Sequence, residues 1–341
     1  MHLLLWILGF ALVVVLLGAL YQALGTRRDA RRFPPPGQLL NVGGRKQHIW
    51  IEGTGPATVI LEAGLMSTVL SWSGLREQLV KSYRVVAYDR AGLGWSDLGP
   101  MPRSADRLAA ELRELLRTAG IEPPYILVGH SFGGLTVPAY AAAYPADTLG
   151  MVLVDPVAPA EWLPPSDRDA KNARIGAKVC RRAALLSKFG IIRFVAFLLT
   201  AGAKGLGALL VRGISRGTPA QAGTVSSPWF WALPPQERAM AAIFWIQEKF
   251  ALTIASQLDN LPASAASAAN LGASYDKPVT ILSAANSPQR RLDEHAAIAR
   301  RLPRGEHILA ARSNHWIMQD QPELVLDAVR RVAASRLTAS R

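Results

Sequence analysis

The chain has 341 residues, half of them hydrophobic, with a single cysteine and a formal net charge of +13. That length and apolar content exclude a largely disordered chain and suffice for one medium domain plus an appendage, while the lone Cys180 excludes an intrachain disulfide and a cysteine-based metal site. The basic charge comes with no nucleic-acid motif and no interleaved basic and aromatic patch, so the expected partner is an anionic membrane surface and not a nucleic acid.

Leu3 to Gly25 is an almost unbroken apolar stretch without a charged residue, long enough to cross the hydrocarbon core as a helix, with Trp6 and Tyr21 as interfacial anchors. It lacks the basic start and the A-x-A site of a cleaved signal peptide, and reads as a membrane anchor. Arg27, Arg28, Arg31 and Arg32 follow at once; the positive-inside tendency then holds the catalytic domain in the cytoplasm on a single-pass anchor. Phe33-Pro34-Pro35-Pro36-Gly37 is a short stiff spacer, because consecutive prolines favour an extended path.

Leu39 to Val42 and Gln47 to Glu52, separated by Gly43-Gly44, are expected to form a hairpin. Ala57 to Glu62 is a strand apolar enough to be buried on both faces, ending in the turn Ala63-Gly64-Leu65-Met66. Ser73 to Val80 suggests a helix, Tyr83 to Tyr88 a strand, and Asp89 to Ser96 a glycine-rich loop. A helix from Ser104 to Ala119 carries the apolar stripe Leu108, Leu112, Leu115 and Leu116. Tyr125 to Val128 is the next strand. Further strands are expected at Met151 to Val154, Pro278 to Leu282 and His307 to Ala310, and a closing helix at Pro322 to Ala334. Residues 158–274 carry no strand signal, only helical patterns, including the apolar Phe189 to Val211 and Ala239 to Leu258.

Alternation of strands and helices predicts a mostly parallel sheet flanked by helices, with chemistry at the carboxyl ends of the strands. The run Tyr125-Ile-Leu-Val-Gly-His-Ser-Phe-Gly-Gly134 stops at a serine between glycines, G-x-S-x-G, followed by a small-residue helix from Leu135 to Tyr144. A chain that passes from strand to helix in so few residues leaves no space for side chains at Gly129 and Gly133, and it lifts the Ser131 hydroxyl clear of the sheet. Phe132 then offers its backbone N–H at a helix N-terminus, where a developing oxyanion is stabilised. A serine nucleophile needs an adjacent base. Of the six histidines, His2, His48, His130, His295 and His307 fall in the anchor, the hairpin, beside the serine, in a helix and at a strand start; His315 alone falls in the loop after the last strand.

These residues carry a resemblance. Leu61-Glu62-Ala63-Gly64, Tyr88-Asp89-Arg90-Ala91-Gly92-Leu93-Gly94-Trp95-Ser96, Gly129-His130-Ser131-Phe132-Gly133-Gly134, and Asn314-His315 followed by Gln321-Pro322-Glu323 make the chain resemble the α/β-hydrolase superfamily, particularly membrane-anchored bacterial members, over residues 38–334. The resemblance implies Ser131 as nucleophile, His315 as base, and an oxyanion hole made by the backbone N–H groups of Phe132 and Leu65. The resemblance implies that the loop of Asp89 and Arg90 shapes the floor of the site and fixes the sheet edge, while Glu62 lies at a strand end without a matching catalytic role. The family's acid most often follows the strand that is here Pro278 to Leu282, yet Ser283 to Ser287 contains no carboxylate. Asp155, at the end of the strand after the nucleophile unit, is the first choice, with Asp293 and Asn286 as alternatives.

The expected organisation is a membrane anchor at 1–26, a basic and proline-rich linker at 27–37, an α/β-hydrolase core at 38–157 and 275–335, and an inserted helical cap at 158–274. The expected activity is a serine hydrolase cleaving a small hydrophobic carboxylic ester, with no cofactor and with membrane lipid as the partner of the anchor. An amidase or aminopeptidase, favoured if Glu161 or Glu237 bound an amine, and a non-catalytic binding protein at the membrane are the other readings.

Overall fold

Short apolar runs separated by amphipathic stretches give eight strands: β1 (Gln38–Val42), β2 (Arg45–Glu52), β3 (Thr58–Glu62), β4 (Arg84–Tyr88), β5 (Tyr125–His130), β6 (Thr148–Val154), β7 (Val279–Ala284) and β8 (Gly305–Ala310). The computed structural model describes residues 1–200, 228–272 and 274–339. The strands form one sheet in the order β1-β2-β4-β3-β5-β6-β7-β8. The β1–β2 and β2–β4 pairs are antiparallel, and every pair from β4 to β8 is parallel.

Alternate residues along each central strand enter two different cores, as a period of two requires. Val59, Leu61, Val85, Ala87, Ile126, Val128, Val152 and Val154 face one side, where Leu75, Leu79, Val325 and Val329 of helices cover them. Ile60, Val86, Leu127, Met151, Leu153 and Ile281 face the other, against Leu112, Leu115 and Leu116 of one helix and Val137 and Tyr140 of another. Both faces are covered, which is why β5 and β7 are buried at every residue. Of the expected stripe, Leu108 departs: it packs with Phe132, Leu261 and Ala265 and not with the sheet.

The N-terminal helix α1 (His2–Arg32) is long and apolar enough to cross a membrane, and none of its residues is buried. It continues as helix through Arg32, so the basic residues extend the helix and only 33–37 remain as a spacer. Helix α2 (Ser73–Leu79) follows β3, α3 (Ala105–Thr118) follows β4, and α4 (Gly133–Ala143) follows β5. The Asp89 carboxylate fastens the loop after β4 by accepting hydrogen bonds from the backbone N–H groups of Val69 and Trp95 and from His48 Nδ1.

Between β6 and β7 the described residues hold helices and one isolated bridge between Trp162 and Pro165. Helix α5 (Asp167–Lys188) is started by the Ser166 hydroxyl, which accepts from the Asp169 N–H. Helix α6 (Ile191–Thr200) covers the first part of the apolar run 189–211; its remainder, 201–211, lies outside the described residues. The pattern from 239 to 258 divides into helices Pro235–Trp245 and Glu248–Asp259, because Gln247 takes extended backbone between them. Helix Leu261–Ala269 then lies against α4 through Leu261 and Ala265.

Candidate active site

The sharp end of β5 depends on missing side chains. A Cβ on Gly129 would come within 2.6 Å of the Gly133 carbonyl oxygen, one on Gly133 within 2.6 Å of the Glu62 carbonyl oxygen, and one on Gly134 would collide with the Pro156 ring. The first two requirements were readable in the sequence; the third depends on the neighbouring strand. Ser131 is held at φ 52°, its N–H donating to the Val154 carbonyl and its own carbonyl accepting from the Gly134 and Val157 N–H groups. Two strand ends and the start of α4 thereby fix the residue, and its side chain opens on a cavity of about 450 Å³.

Leu65 and Phe132 line that same cavity. The turn carrying Leu65 has Met66 at φ 60°, and its Gly64 lies so close to His130 that an added Cβ would come within 3.0 Å of the imidazole Nδ1. Arg90 links the residues before Leu65 to the Phe132 ring. Its guanidinium donates to the Glu62 carboxylate and to the carbonyl oxygens of Ala63 and Gly64, the last at 2.5 Å, while its Cζ stands 5.4 Å from the Phe132 ring centre. Arg90 and Glu62 are both buried, and the Tyr88 hydroxyl donates to Glu62 as well. The sequence marked Arg90 as part of the floor; that it grips the Ala63-Gly64 carbonyls was not readable from it.

Asp155 ends β6 at φ 40°, with 1% of its surface exposed. Its carboxylate accepts hydrogen bonds from His315 Nδ1 at 2.5 Å, from the Ala284 N–H at 3.1 Å, and from the Ser287 hydroxyl at 3.0 and 3.3 Å. Burial alone would raise the Asp155 carboxyl; the hydrogen bond and charge of His315, with the donors from Ala284 and Ser287, outweigh it and hold the group below its ordinary value. A carboxylate only accepts, so His315 carries a proton on Nδ1. The segment without a carboxylate after β7 thus supplies donors to a carboxylate from β6. Asp293 instead accepts from the Gln289 amide on an exposed helix face, and the Asn286 amide donates to Asn314, so neither alternative bonds to His315.

His130, beside the serine in sequence, bonds to the loop that carries His315. Its Nε2–H donates to the His315 carbonyl at 2.9 Å, and its ring lies 4.6 Å from both the His315 and Trp316 rings. Burial, and then the neighbouring His315, lower its pKa to about 3, so it remains a neutral spacer. Asp320 and Gln321 complete the loop, accepting from the Asn314 and Arg312 N–H groups.

Under the same edge, His307 Nε2–H donates to Ser283, the Ser283 hydroxyl to His295 Nδ1, and His295 Nε2–H to the Pro156 carbonyl next to Asp155, at 2.8, 2.7 and 2.9 Å. A second cavity of about 390 Å³ shares Val157 with the first but is not lined by Ser131, Asp155 or His315. Among the described residues no three His, Cys, Asp or Glu side chains are grouped to hold a metal.

Comparison with known proteins adds to this geometry. Residues 59–328 match the sequence pattern of the Alpha/beta hydrolase family. An uncharacterized protein of Bacillus subtilis, YqjL, is 35% identical over 105 residues, which make up 31% of this chain and 42% of that protein. The chain spans between 18% and 53% of the length of the first three curated relatives it matches. Among solved structures, a thermophilic esterase from Thermogutta terrifontis superposes with a TM-score of 0.58 at 22% identity, covering 86% of this chain and 96% of the esterase. The enol-lactonase from Burkholderia xenovorans superposes with a TM-score of 0.58 at 18% identity, covering 87% of this chain and 100% of its own. At these identities the structural likeness is one of fold.

Proposed function

The chain belongs to the alpha/beta hydrolase family, and from that premise we propose that it is a hydrolytic enzyme that cleaves a carboxylic ester through Ser131, His315 and Asp155. His315 Nε2 takes the proton of the Ser131 hydroxyl as its oxygen attacks the ester carbonyl. The N–H groups of Phe132 and Leu65 hold the oxyanion, and His315 returns the proton to the departing alkoxide. Water activated by the same imidazole then releases the acyl group and restores the serine. Asp155 holds the Nδ1–H tautomer and stabilises the imidazolium that forms.

The observation that carries this reading is the buried Asp155 carboxylate bonded to His315 Nδ1 beside a serine held at a strained strand end. One side of the cavity, Leu65, Phe132, Val157, Trp162, Leu258 and Leu261, suits an apolar acyl or alkyl group, Glu161, Asp169, Asn172, Arg290 and Arg291 line much of the rest, and the described helices between β6 and β7 act as its cap. An amine subsite is less well supported. Glu161 accepts two hydrogen bonds from Arg291, at 2.6 and 2.9 Å, and Glu237 accepts from the Ser73 hydroxyl at 2.7 Å, so both carboxylates are engaged within the protein.

The decisive experiment is hydrolysis of p-nitrophenyl esters of several chain lengths by the full chain in detergent, beside Ser131→Ala and His315→Ala. Turnover that falls by about 10⁴ or more in both variants is the expected result. A folded protein that neither turns over esters nor takes a fluorophosphonate label would be a binding protein, and labelling without ester turnover would favour an amide substrate. We place the enzyme on a single-pass anchor formed by α1, with Arg27, Arg28, Arg31 and Arg32 and the catalytic domain on the cytoplasmic side. Retention in the membrane pellet after alkaline carbonate extraction, with the catalytic domain protected from protease in intact cells, tests both parts.

A further inference from the structure

We infer that the enzyme contacts the bilayer at a second place: the elbow between α5 and α6, with the outer face of α6, is seated among the lipids beside α1. This rests on the reading of α1 as a membrane anchor, and it concerns helices that the anchor alone would leave in water.

The elbow is packed directly on α1 through glycines. A Cβ on Gly18 would collide with the Phe189 carbonyl, and one on Gly190 would come within 2.8 Å of the Tyr21 ring. Close backbone approach through small residues is how helices associate where lipid gives no hydrophobic drive. Arg193 of α6 then clamps the next turns of α1, donating from Nε to the Gln22 amide oxygen at 3.0 Å and from Nη1 to the Asp29 carboxylate at 2.7 Å. Arg193 and Asp29 keep only 11% and 15% of their side-chain surface exposed.

This contact fixes a depth. The uncharged stretch from Leu3 to Gly25 is about 33 Å long as a helix, close to the ~30 Å hydrocarbon thickness. Gly18 lies seven residues before Gly25, so the elbow that touches it stands about 10 Å inside the end of that stretch. A segment docked there meets acyl chains and not water.

Its chemistry fits that depth. Leu185, Ile191 and Phe194 are 57%, 39% and 48% exposed. In the elbow the Phe189, Gly190 and Phe194 N–H groups donate to the Leu186, Ser187 and Gly190 carbonyls, which removes three donors from lipid. The charges flanking the elbow are paired, Lys188 with Glu248 at 2.9 Å and Arg193 with Asp29. Further back along α5, the exposed Lys171, Arg174 and Lys178 suit anionic headgroups.

The test uses the full chain with Cys180→Ala in vesicles of phosphatidylcholine and phosphatidylglycerol, carrying one environment-sensitive NBD label at Ile191→Cys or Phe194→Cys. Leu12→Cys in α1 gives the lipid reference and the exposed Lys81→Cys the water reference. Blue-shifted emission at 191 and 194, quenched by phospholipids brominated high on the acyl chain, is the expected result. Water-like emission there with a lipid-like Leu12 overturns this inference and leaves the anchor standing. A blue shift that brominated lipid does not quench means that a second copy or another protein covers the face, and also overturns it. Water-like emission at Leu12 overturns the anchor and this inference together.

Discussion

Among the described residues, the three with a side chain and a positive φ are Met66, Ser131 and Asp155: Ser131 lines the cavity, Met66 follows Leu65, which lines it too, and Asp155 bonds to His315. Left-handed backbone costs such residues about 1–2 kcal/mol apiece, which a surrounding network must offset. For Asp155 the network is the Ala284 N–H, the Ser287 hydroxyl and His315. Asp155→Asn keeps the shape and the first two partners but no longer fixes the His315 tautomer, so turnover of the esters falls by about 10⁴ with the melting temperature little changed; near-full activity in a folded variant would remove Asp155 from the triad. Glycines separate by the same reasoning. Gly134→Ala drives a methyl into Pro156 and is expected to cost about 1–3 kcal/mol or more, whereas Gly44→Ala, at φ 81° with open space around it, bears only the backbone strain of about 1 kcal/mol. Urea unfolding of the two variants checks the order.

At the scale of elements, the turn after β3 is shaped less by its own residues than by Arg90 at the end of β4. Arg90 grips the Ala63 and Gly64 carbonyls and so aims the following N–H groups. Arg90→Met alone leaves the buried Glu62 without its cation, a change that costs about 3–5 kcal/mol and can prevent folding. Combining Arg90→Met with Glu62→Gln removes that charge. The double variant is expected to fold yet to lose about 10²-fold in kcat with KM nearly unchanged, since a misaimed oxyanion donor is felt in the transition state; a kcat near that of the parent would show that the turn holds itself. The β4–β3–β5 adjacency that makes this grip possible follows from strand order, which no local pattern encodes.

Across the whole molecule, two histidines are buried in neutral form, His130 with its pKa lowered to about 3 and His295 to about 4, each chiefly by burial. Unfolded, each regains an ordinary value near 6.5. Between that value and the folded one, only the unfolded chain binds the proton, so the contribution of these two histidines to stability falls as pH falls through this window and is constant above it. Each histidine contributes at most about 1.4 kcal/mol per pH unit. Asp155, with its carboxyl held below the ordinary value, adds a loss of the same sign further into acid. The melting temperature of the full chain in detergent is therefore expected to drop between pH 6.5 and 4.5, with a shallower slope in His295→Gln; an unchanged slope would mean that His295 is already charged in the folded state.

What the sequence alone determined is what is local. Strands β3 to β7, buried on both faces, are continuous apolar runs and were readable as such, the partly exposed β1 and β2 were readable from the Gly43-Gly44 hairpin, and the turn from β5 into α4 was readable because only glycines allow it. The uncharged stretch ahead of four arginines was readable as a candidate span for the same reason. The tertiary structure decided which distant groups meet. Asp155 lies 129, 132 and 160 residues from Ala284, Ser287 and His315, and Arg193 lies 164 from Asp29. No periodicity or propensity reaches across such separations. They close because parallel neighbours β5, β6, β7 and β8 bring their carboxyl ends to one edge, and because the helices inserted between β6 and β7 return to α1 through two glycines that leave room for contact.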